Sequence, residues 1–304
     1  MYVVLGATGN TGSVAAKKLL ERGEKVRVVG RDAAKLAQLF PPGTQPGAEI
    51  VTADANDVAA LTKAFAGARA AYVLLPPRAK DPELLASADK MSTAITEAIR
   101  TSGISHVVLL SSLGARHEKQ TGPIQALHAF EEKLKRVPNL NALFLRPGPF
   151  MENFLMLIPL VHSMGFLAGG INSDLKMPLI ATRDIGAAAA AALQKLDFSG
   201  FVTRELHGQR DLSHDEAAAA IGAGIGKPKL SYQKFPAFLV EQGMKQMGIP
   251  GKTASLMSEM NTAVNDGLLN PEESRSEKNT TPTAIEIWVK EVFAPVYNAK
   301  AAGA

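Results

Sequence analysis

Three glycines near the start of the chain constrain its fold more than any other feature. Tyr2-Val3-Val4-Leu5 is a continuous apolar run, and Gly6-Ala7-Thr8-Gly9-Asn10-Thr11-Gly12 follows it directly. Ser13 to Arg22 then carries Val14, Leu19 and Leu20 as the apolar positions of a helix. In a strand–turn–helix unit of this kind the first glycine permits the tight turn. The second lets the backbone approach a pyrophosphate, and the third lets the helix pack against the strand. The helix N-terminus adds free N–H donors and a partial positive charge. The pattern predicts a dinucleotide phosphate loop; a glycine-rich turn without a ligand is the plain alternative.

Strands and helices keep alternating beyond this unit. Val26-Arg27-Val28-Val29, Ile50-Val51, Ala70 to Leu75, His106 to Leu110 and Ala142 to Leu145 read as strands. Helical-period segments separate them at Ala33 to Phe40, Val58 to Phe65, Leu84 to Arg100 and Ile124 to Arg136. Such alternation implies right-handed crossovers and a parallel sheet with helices on both faces, and continuous apolar strands agree with burial on both sides. The expected fold is α/β, a doubly wound parallel-sheet Rossmann fold over residues 1–150. Residues 151–304 are expected to form a smaller, mostly helical unit on the substrate side, with some segments returning to the sheet. Helices are expected there near Ile185 to Leu196, Asp215 to Ile225, Ala237 to Met247 and Thr283 to Phe293, the last containing Trp288. Phe201 to Leu206 and Leu230 to Phe235 read as strands, and the polar stretch Asn270 to Pro282 as a loop.

Composition removes several function classes. Apolar residues at 46% and charged residues at 20% are ordinary globular usage, so 304 residues can bury a core without staples. With no cysteine, disulfides, thiolate metal sites, iron–sulfur clusters and cysteine nucleophiles are excluded. The six histidines include no H-E-x-x-H and no pair four apart, so no metal is expected. A hydrolase would want a G-x-S-x-G elbow, which the chain lacks. The net charge of +4 is scattered, and the densest basic stretch, Lys133 to Arg136, is interrupted by Leu134; nucleic acid is not an expected partner. No apolar run approaches the roughly 18 residues of a membrane span. There is no basic leader with a cleavage site, so a cytoplasmic protein away from membranes is expected.

Arg31 stands 19 residues after Gly12, at the end of the second strand. An NAD site usually places a carboxylate there, on the ribose 2′-hydroxyl, whereas an arginine pairs well with a 2′-phosphate. NADP(H) is therefore favoured over NAD(H), with Lys35 able to assist. Asp32 argues the other way, because a shift of one residue would return an acidic group to the ribose. A solvated Arg-Asp turn is the bland alternative.

The G-x-x-G-x-x-G spacing resembles that of extended and atypical short-chain dehydrogenase/reductases. Together with Val28-Val29-Gly30-Arg31-Asp32, Ser111-Ser112-Leu113-Gly114-Ala115, Leu145 to Asn153 and Ala181-Thr182-Arg183-Asp184-Ile185-Gly186, it resembles the NmrA-like family of that superfamily. The resemblance spans roughly residues 1 to 235 and, more weakly, the C-terminal tail. It implies NADP(H) or NAD(H) binding, with Gly6, Thr8, Gly9, Asn10, Thr11 and Gly12 at the pyrophosphate and Arg31 at the 2′-phosphate. It also implies Asp54 near the adenine, Leu75 and Pro76 on the adenosine side, Ser111 and Pro147 beside the nicotinamide ribose, and Phe150 and Asn153 at the start of the substrate wall. Phe154 joins that wall as part of an apolar cluster with Met151, Met156, Met164 and Phe166, residues that equally suit simple core packing. A dimer is common among such proteins, which makes a homodimer one expectation.

The superfamily's usual Tyr-x-x-x-Lys dyad is absent. Four positions after Tyr2, Tyr72, Tyr232 and Tyr297 stand Gly6, Pro76, Pro236 and Ala301. The helix where the dyad would stand, which faces the nicotinamide in this superfamily, carries His128, Glu131 and Glu132. His128 and Glu131 are three apart and share a helix face. A carboxylate beside His128 would favour its imidazolium and make it a proton donor. The catalytic candidate is His128, oriented by Glu131 or Glu132, with Ser111 or Ser112 as hydrogen-bond donor; a solvated His–Glu pair is the alternative. The expected function is an NADP(H)-dependent oxidoreductase passing hydride to a small, flat, apolar acceptor such as a quinone or azo compound. The rival is a catalytically weak NADP(H)-binding redox sensor or regulator acting through a protein partner. A carbohydrate-modifying enzyme ranks third because the dyad is missing.

Overall fold

The structure, a computed structural model, describes residues 1–41, 43 and 47–302. The first half runs β1 (Tyr2–Leu5), α1 (Asn10–Glu21), β2 (Val26–Gly30), α2 (Ala33–Leu39), β3 (Ala48–Thr52), α3 (Val58–Phe65), β4 (Ala70–Val73), α4 (Leu84–Ser102), β5 (His106–Leu110), α5 (Gln125–Leu134) and β6 (Asn141–Pro147). Next come α6 (Ile158–Met164), β7 (Leu167–Gly169), α7 (Thr182–Lys195), β8 (Phe201–Leu206), α8 (His214–Gly224), β9 (Tyr232–Lys234), α9 (Ala237–Gln246) and α10 (Gly251–Asn265). The tail holds α11 (Ile285–Trp288) and α12 (Ala294–Ala302).

Seven strands form one sheet in the order β3-β2-β1-β4-β5-β6-β8, every neighbouring pair parallel. This is the doubly wound Rossmann arrangement that the alternation predicts. The strand order reverses between β1 and β4, and open sheets of this type bind ligands outside their carboxyl edge at such a switch point. Residues of alternate parity supply the two faces. Tyr2, Val4, Val28, Tyr72, Val108 and Leu143 pack with Ala15 and Leu19 of α1 and Ile185 and Ala189 of α7. Val3, Leu5, Ala71, Val107, Leu109 and Phe144 pack with Leu61 of α3, Met91 and Ile95 of α4 and Phe130 of α5. Each fully buried Val, Leu, Ile, Met or Phe among them contributes about 1.5–3 kcal/mol relative to exposure.

Two segments after residue 150 return to the Rossmann body. β8 pairs with β6 from Ala142↔Phe201 to Pro147↔Leu206. Helix α7 lies against α1, and Gly186 makes the approach close: a Cβ there would stand 2.5 Å from the Thr11 carbonyl oxygen. The remaining segments gather around a third core of Met151, Phe154, Ile158, Leu167, Ile221, Tyr232, Trp288 and Phe293. It includes a small parallel pair, β7 with β9, and β7 has no counterpart among the expected strands. Helix α10 is likewise new; its buried residues are Thr253, Ala254, Ser258, Ala263 and Val264, too small and polar to print an apolar stripe. The helix expected over Thr283 to Phe293 is interrupted by a π-helical turn at Val289–Phe293 and continues to Ala302. The wider turn lets Trp288, Val289, Phe293 and Tyr297 all enter the third core. The last residues of the expected second unit, 303–304, lie outside the described residues. Among those described, no helix is long and apolar enough to cross a membrane.

Candidate functional site

The loop after β1 is held by its own backbone. Gly6 takes φ +73°, a conformation L side chains rarely adopt. The Gly6 and Ala7 N–H groups donate to the Val29 carbonyl at 2.9 and 3.1 Å, and Gly9 N–H donates to the Gly6 carbonyl at 2.9 Å. A Cβ on Gly12 would stand 2.4 Å from the Gly6 oxygen, so only glycine lets α1 begin this close to β1. The first turn of α1 has neither a side-chain cap nor an acidic residue, whereas Asp32 and Asp57 cap α2 and α3. Its leading N–H groups, those of Asn10, Thr11 and Gly12, lack intrahelical acceptors by geometry. Asn10 is exposed and Thr8 half-buried. The Thr11 side chain turns inward: its hydroxyl oxygen accepts from the buried Tyr72 hydroxyl at 2.9 Å. Burial pushes the Tyr72 pKa up, so this hydroxyl keeps its proton. Of the groups on Thr11, the backbone N–H faces the crevice end of the helix. Beyond its lack of a dyad lysine, Tyr72 has no expected role in the site, although a lone tyrosine in the strand Ala70-Ala71-Tyr72-Val73 signals a hydroxyl needing a partner.

Arg31 follows β2 and is exposed, as is Lys35. The ambiguity over Asp32 is resolved by helix capping, since its Oδ1 accepts the Lys35 backbone N–H at 2.9 Å. That carboxylate serves the N-terminus of α2. Asp54, just past β3, accepts from Asn56 N–H at 2.9 Å and Asn56 Nδ2 at 2.8 Å. The Asn56 backbone bond is the largest cause holding its pKa below the usual carboxylate range, against partial burial and with help from Arg78 and Arg31. Leu75 and Pro76 continue from β4, both half-buried.

The ends of β5 and β6 differ from the spacing argument. Glu131 does not orient His128: its carboxylate is buried and accepts from Arg146 Nε at 3.0 Å, a second Arg146 nitrogen at 2.7 Å and Ser111 Oγ at 2.5 Å. A carboxylate buried this deeply needs a charged partner, and the β6 guanidinium outcompetes a helical neighbour. Ser111 thereby spends its proton on Glu131 and is not a free donor. His128 is half-buried, and its Nδ1 lies 2.9 Å from the Ala115 carbonyl oxygen. Glu132 is bound to Lys135 at 2.6 Å, and this bond is the largest cause lowering its pKa. His128 contributes to the same field, so Glu132 is the carboxylate electrostatically coupled to it. Ser112 is half-buried, and the Pro147 carbonyl accepts the Leu113 N–H at 3.2 Å.

Beyond β6, Phe150 bridges to Ile180 and is half-buried, and Asn153 is exposed. Phe154 goes into the third core, 4% exposed, with its ring edge-on to His214 at 5.7 Å. It is core rather than wall because 3₁₀ turns over Met151–Leu157 point it away from the chain's exposed side, where Asn153 and Met156 lie. Glu152, a residue without an expected role, accepts the Thr182 N–H at the start of α7 and the Trp288 indole N–H at 3.2 Å. The stretch 270–282 docks on the end of β8. Glu205 accepts the Glu272 and Glu273 N–H groups at 3.0 Å and lies 3.4 Å from His207 Nε2, and Thr281 N–H donates to the His207 carbonyl.

Similar proteins match the chain over most of their length. The NAD(P)H azoreductase of Xenophilus azovorans is 29% identical over 262 residues, covering 86% of either chain. The crystal structure of an NADPH-dependent quinone oxidoreductase from Escherichia coli, complexed with NADPH, superposes with a TM-score of 0.81 at 22% identity, over 96% of this chain and 100% of the other. The triphenylmethane reductase of Citrobacter sp., complexed with NADP(H), does so with a TM-score of 0.73 at 19% identity, over 99% and 100%. These two structures speak for the fold. The NmrA-like family matches residues 2–291, nearly the whole sequence, and the chain belongs to that family.

Proposed function

We propose that the protein is an NAD(P)H-dependent oxidoreductase that prefers NADPH and reduces a flat, apolar acceptor such as a quinone or an azo compound. The observation that carries this reading is a glycine-built loop with an uncapped helix N-terminus on the same sheet edge as His128. The residues present fit a dinucleotide. A Cβ on Gly6 would press on Leu74 and one on Gly12 would strike the Gly6 carbonyl, so glycine alone keeps the loop tight; the first turn of α1 offers N–H donors, and Arg31 offers a cation where a 2′-phosphate would lie. The Xenophilus azoreductase and the Escherichia coli quinone oxidoreductase supply the acceptor classes.

When bound, the reduced nicotinamide supplies a hydride, which with one proton turns a quinone into a hydroquinone or an azo bond into a hydrazo bond. His128 is the residue to hold that proton. A carbonyl only accepts, so Nδ1 must carry hydrogen toward Ala115, and Nε2 is the atom that takes a proton from solvent and releases it to the acceptor. The Glu131–Arg146 pair fixes α5 against β6 and so keeps His128 in place. Phe150 and Asn153 begin the acceptor wall, where positioning and apolar contact do most of the work. With no Tyr-x-x-x-Lys dyad, acceptors whose anion is delocalised suit the site better than simple ketones, which need a strong general acid.

A panel of quinones and azo dyes, with NADPH oxidation followed by absorbance, tests the reading. His128→Ala should lower kcat about 100-fold while leaving nucleotide affinity unchanged. Arg31→Ala should weaken NADPH far more than NADH. Tight nucleotide binding without turnover of any acceptor would replace this reading with the cofactor-sensing regulator.

A further inference from the structure

A second arginine lies on the adenosine side of the crevice. Arg78 belongs to the β4–α4 connection, five residues past Val73. β4 and β2 flank β1, so their ends are about 10 Å apart at ordinary strand spacing. Five residues and an arginine side chain span that gap. The connection is well anchored. Asp81 N–H donates to the Arg78 carbonyl at 2.9 Å, and the Asp81 carboxylate accepts Glu83 N–H at 2.9 Å. From α10, the Thr253 hydroxyl donates to the Asp81 carbonyl at 2.5 Å and Lys252 pairs with Glu83 at 2.6 Å.

Arg78 is half-buried, and its Nε is sealed from solvent with no hydrogen-bond partner. The terminal nitrogens of the same guanidinium make no hydrogen bond and are not sealed, and they are the part of the fork that an oxyanion can reach. Asp54 does not provide a partner: its Oδ1 accepts from Asn56, and no hydrogen bond or ion pair joins it to Arg78. Arg31 and Arg78 both lower the Asp54 pKa through their charge, so two cations from separate strand ends act in one neighbourhood, and Arg78 acts on the Asp81 carboxylate as well. Among the described residues neither is in an ion pair.

We infer that Arg78 is the second cation of the ribose-phosphate subsite and closes with Arg31 on a 2′-phosphate. This rests on the dinucleotide reading above and adds a specificity-determining residue to it.

Calorimetry on the full chain with NADPH, NADH, adenosine 2′,5′-bisphosphate and 5′-AMP tests the assignment. Arg78→Ala should weaken NADPH and the bisphosphate about 10- to 50-fold. NADH and 5′-AMP should change less than about twofold, which also shows that the variant is folded. Arg78→Lys should recover only part of the loss, since lysine lacks the planar fork. Equal losses for NADPH and NADH would overturn the inference and assign Arg78 to the adenine or to the loop. Unchanged NADPH binding in Arg78→Ala, with a loss in Arg31→Ala, would overturn it while leaving Arg31 in place. Wild-type protein that binds both dinucleotides equally would remove the 2′-phosphate reading and this inference together; protein that binds neither would remove the dinucleotide reading as well.

Discussion

The two ends of the crevice handle polar groups in opposite ways. At the adenosine end they are left open: the first-turn N–H groups of α1 have no cap, and the Arg78 side chain makes no hydrogen bond or ion pair among the described residues. At the β5–β6 end the charges close on one another. Ser111, Glu131 and Arg146 form one buried unit, and Glu205 engages His207 and the N–H groups of Glu272 and Glu273. Unpaired donors at a sheet's carboxyl edge are available to an anionic ligand. Paired ones supply rigidity and little chemistry. The charged residues nearest the expected reaction centre are therefore mostly architecture, while His128 Nε2, like the buried His117 Nε2 and Thr121 Oγ1 of the β5–α5 connection, makes no hydrogen bond among the described residues.

The sharpest test of this contrast is Glu131→Ala. It leaves Arg146 buried with its main partner gone and should cost about 3–5 kcal/mol in urea unfolding. A loss below about 1 kcal/mol would show that water reaches Arg146 and that the two ends are alike. A pH effect comes next and separates both ends from the third core. Burial pushes His214 down to about 4 from an ordinary 6.5. The unfolded chain then takes up a proton first, so stability should fall as pH drops from 6.5 toward 4, by up to about 3 kcal/mol. His214→Phe should flatten that slope. Glu205 acts in a lower window: burial works to raise its pKa, but His207 and the Glu272 and Glu273 N–H groups outweigh it, so its share is lost only below the usual carboxylate range. A slope that survives in His214→Phe would have to be traced to other groups. Gly12→Ala is smaller in stability, about 1–3 kcal/mol, because its Cβ meets the Gly6 carbonyl. Its NADPH affinity should fall more than 10-fold (an estimate of about 1.4 kcal/mol or more). Tyr72→Phe should be the mildest, about 1 kcal/mol in thermal or urea unfolding, from loss of one buried hydrogen bond.

Much of the sheet is legible in the sequence because parallel strands buried on both faces must be continuous apolar runs, and those runs are visible at Val3-Val4-Leu5, Val28-Val29 and Val107-Val108-Leu109. Legibility fails where the pattern thins. Helix α10 buries threonine, alanine and serine, and β7 is only Leu167–Gly169. It fails differently at the site. His128 and Glu131 share a helix face, and that neighbourhood suggests a pair; the actual partner of Glu131 is Arg146, 15 residues away on strand β6. Asp32 adjoins Arg31 in sequence but serves the helix that follows it.

The turn after β1 could be read from seven residues because its demands are local: a positive φ at Gly6 and no room for a Cβ at Gly12 are properties of the chain's own backbone. Which charges meet is another matter. The bonds of Glu131, Glu205, Glu152 and Arg78 depend on how strands and helices far apart in sequence are packed, and on which buried group would otherwise be left without a partner. Spacing along one element cannot carry that information, since the competing partners lie on others.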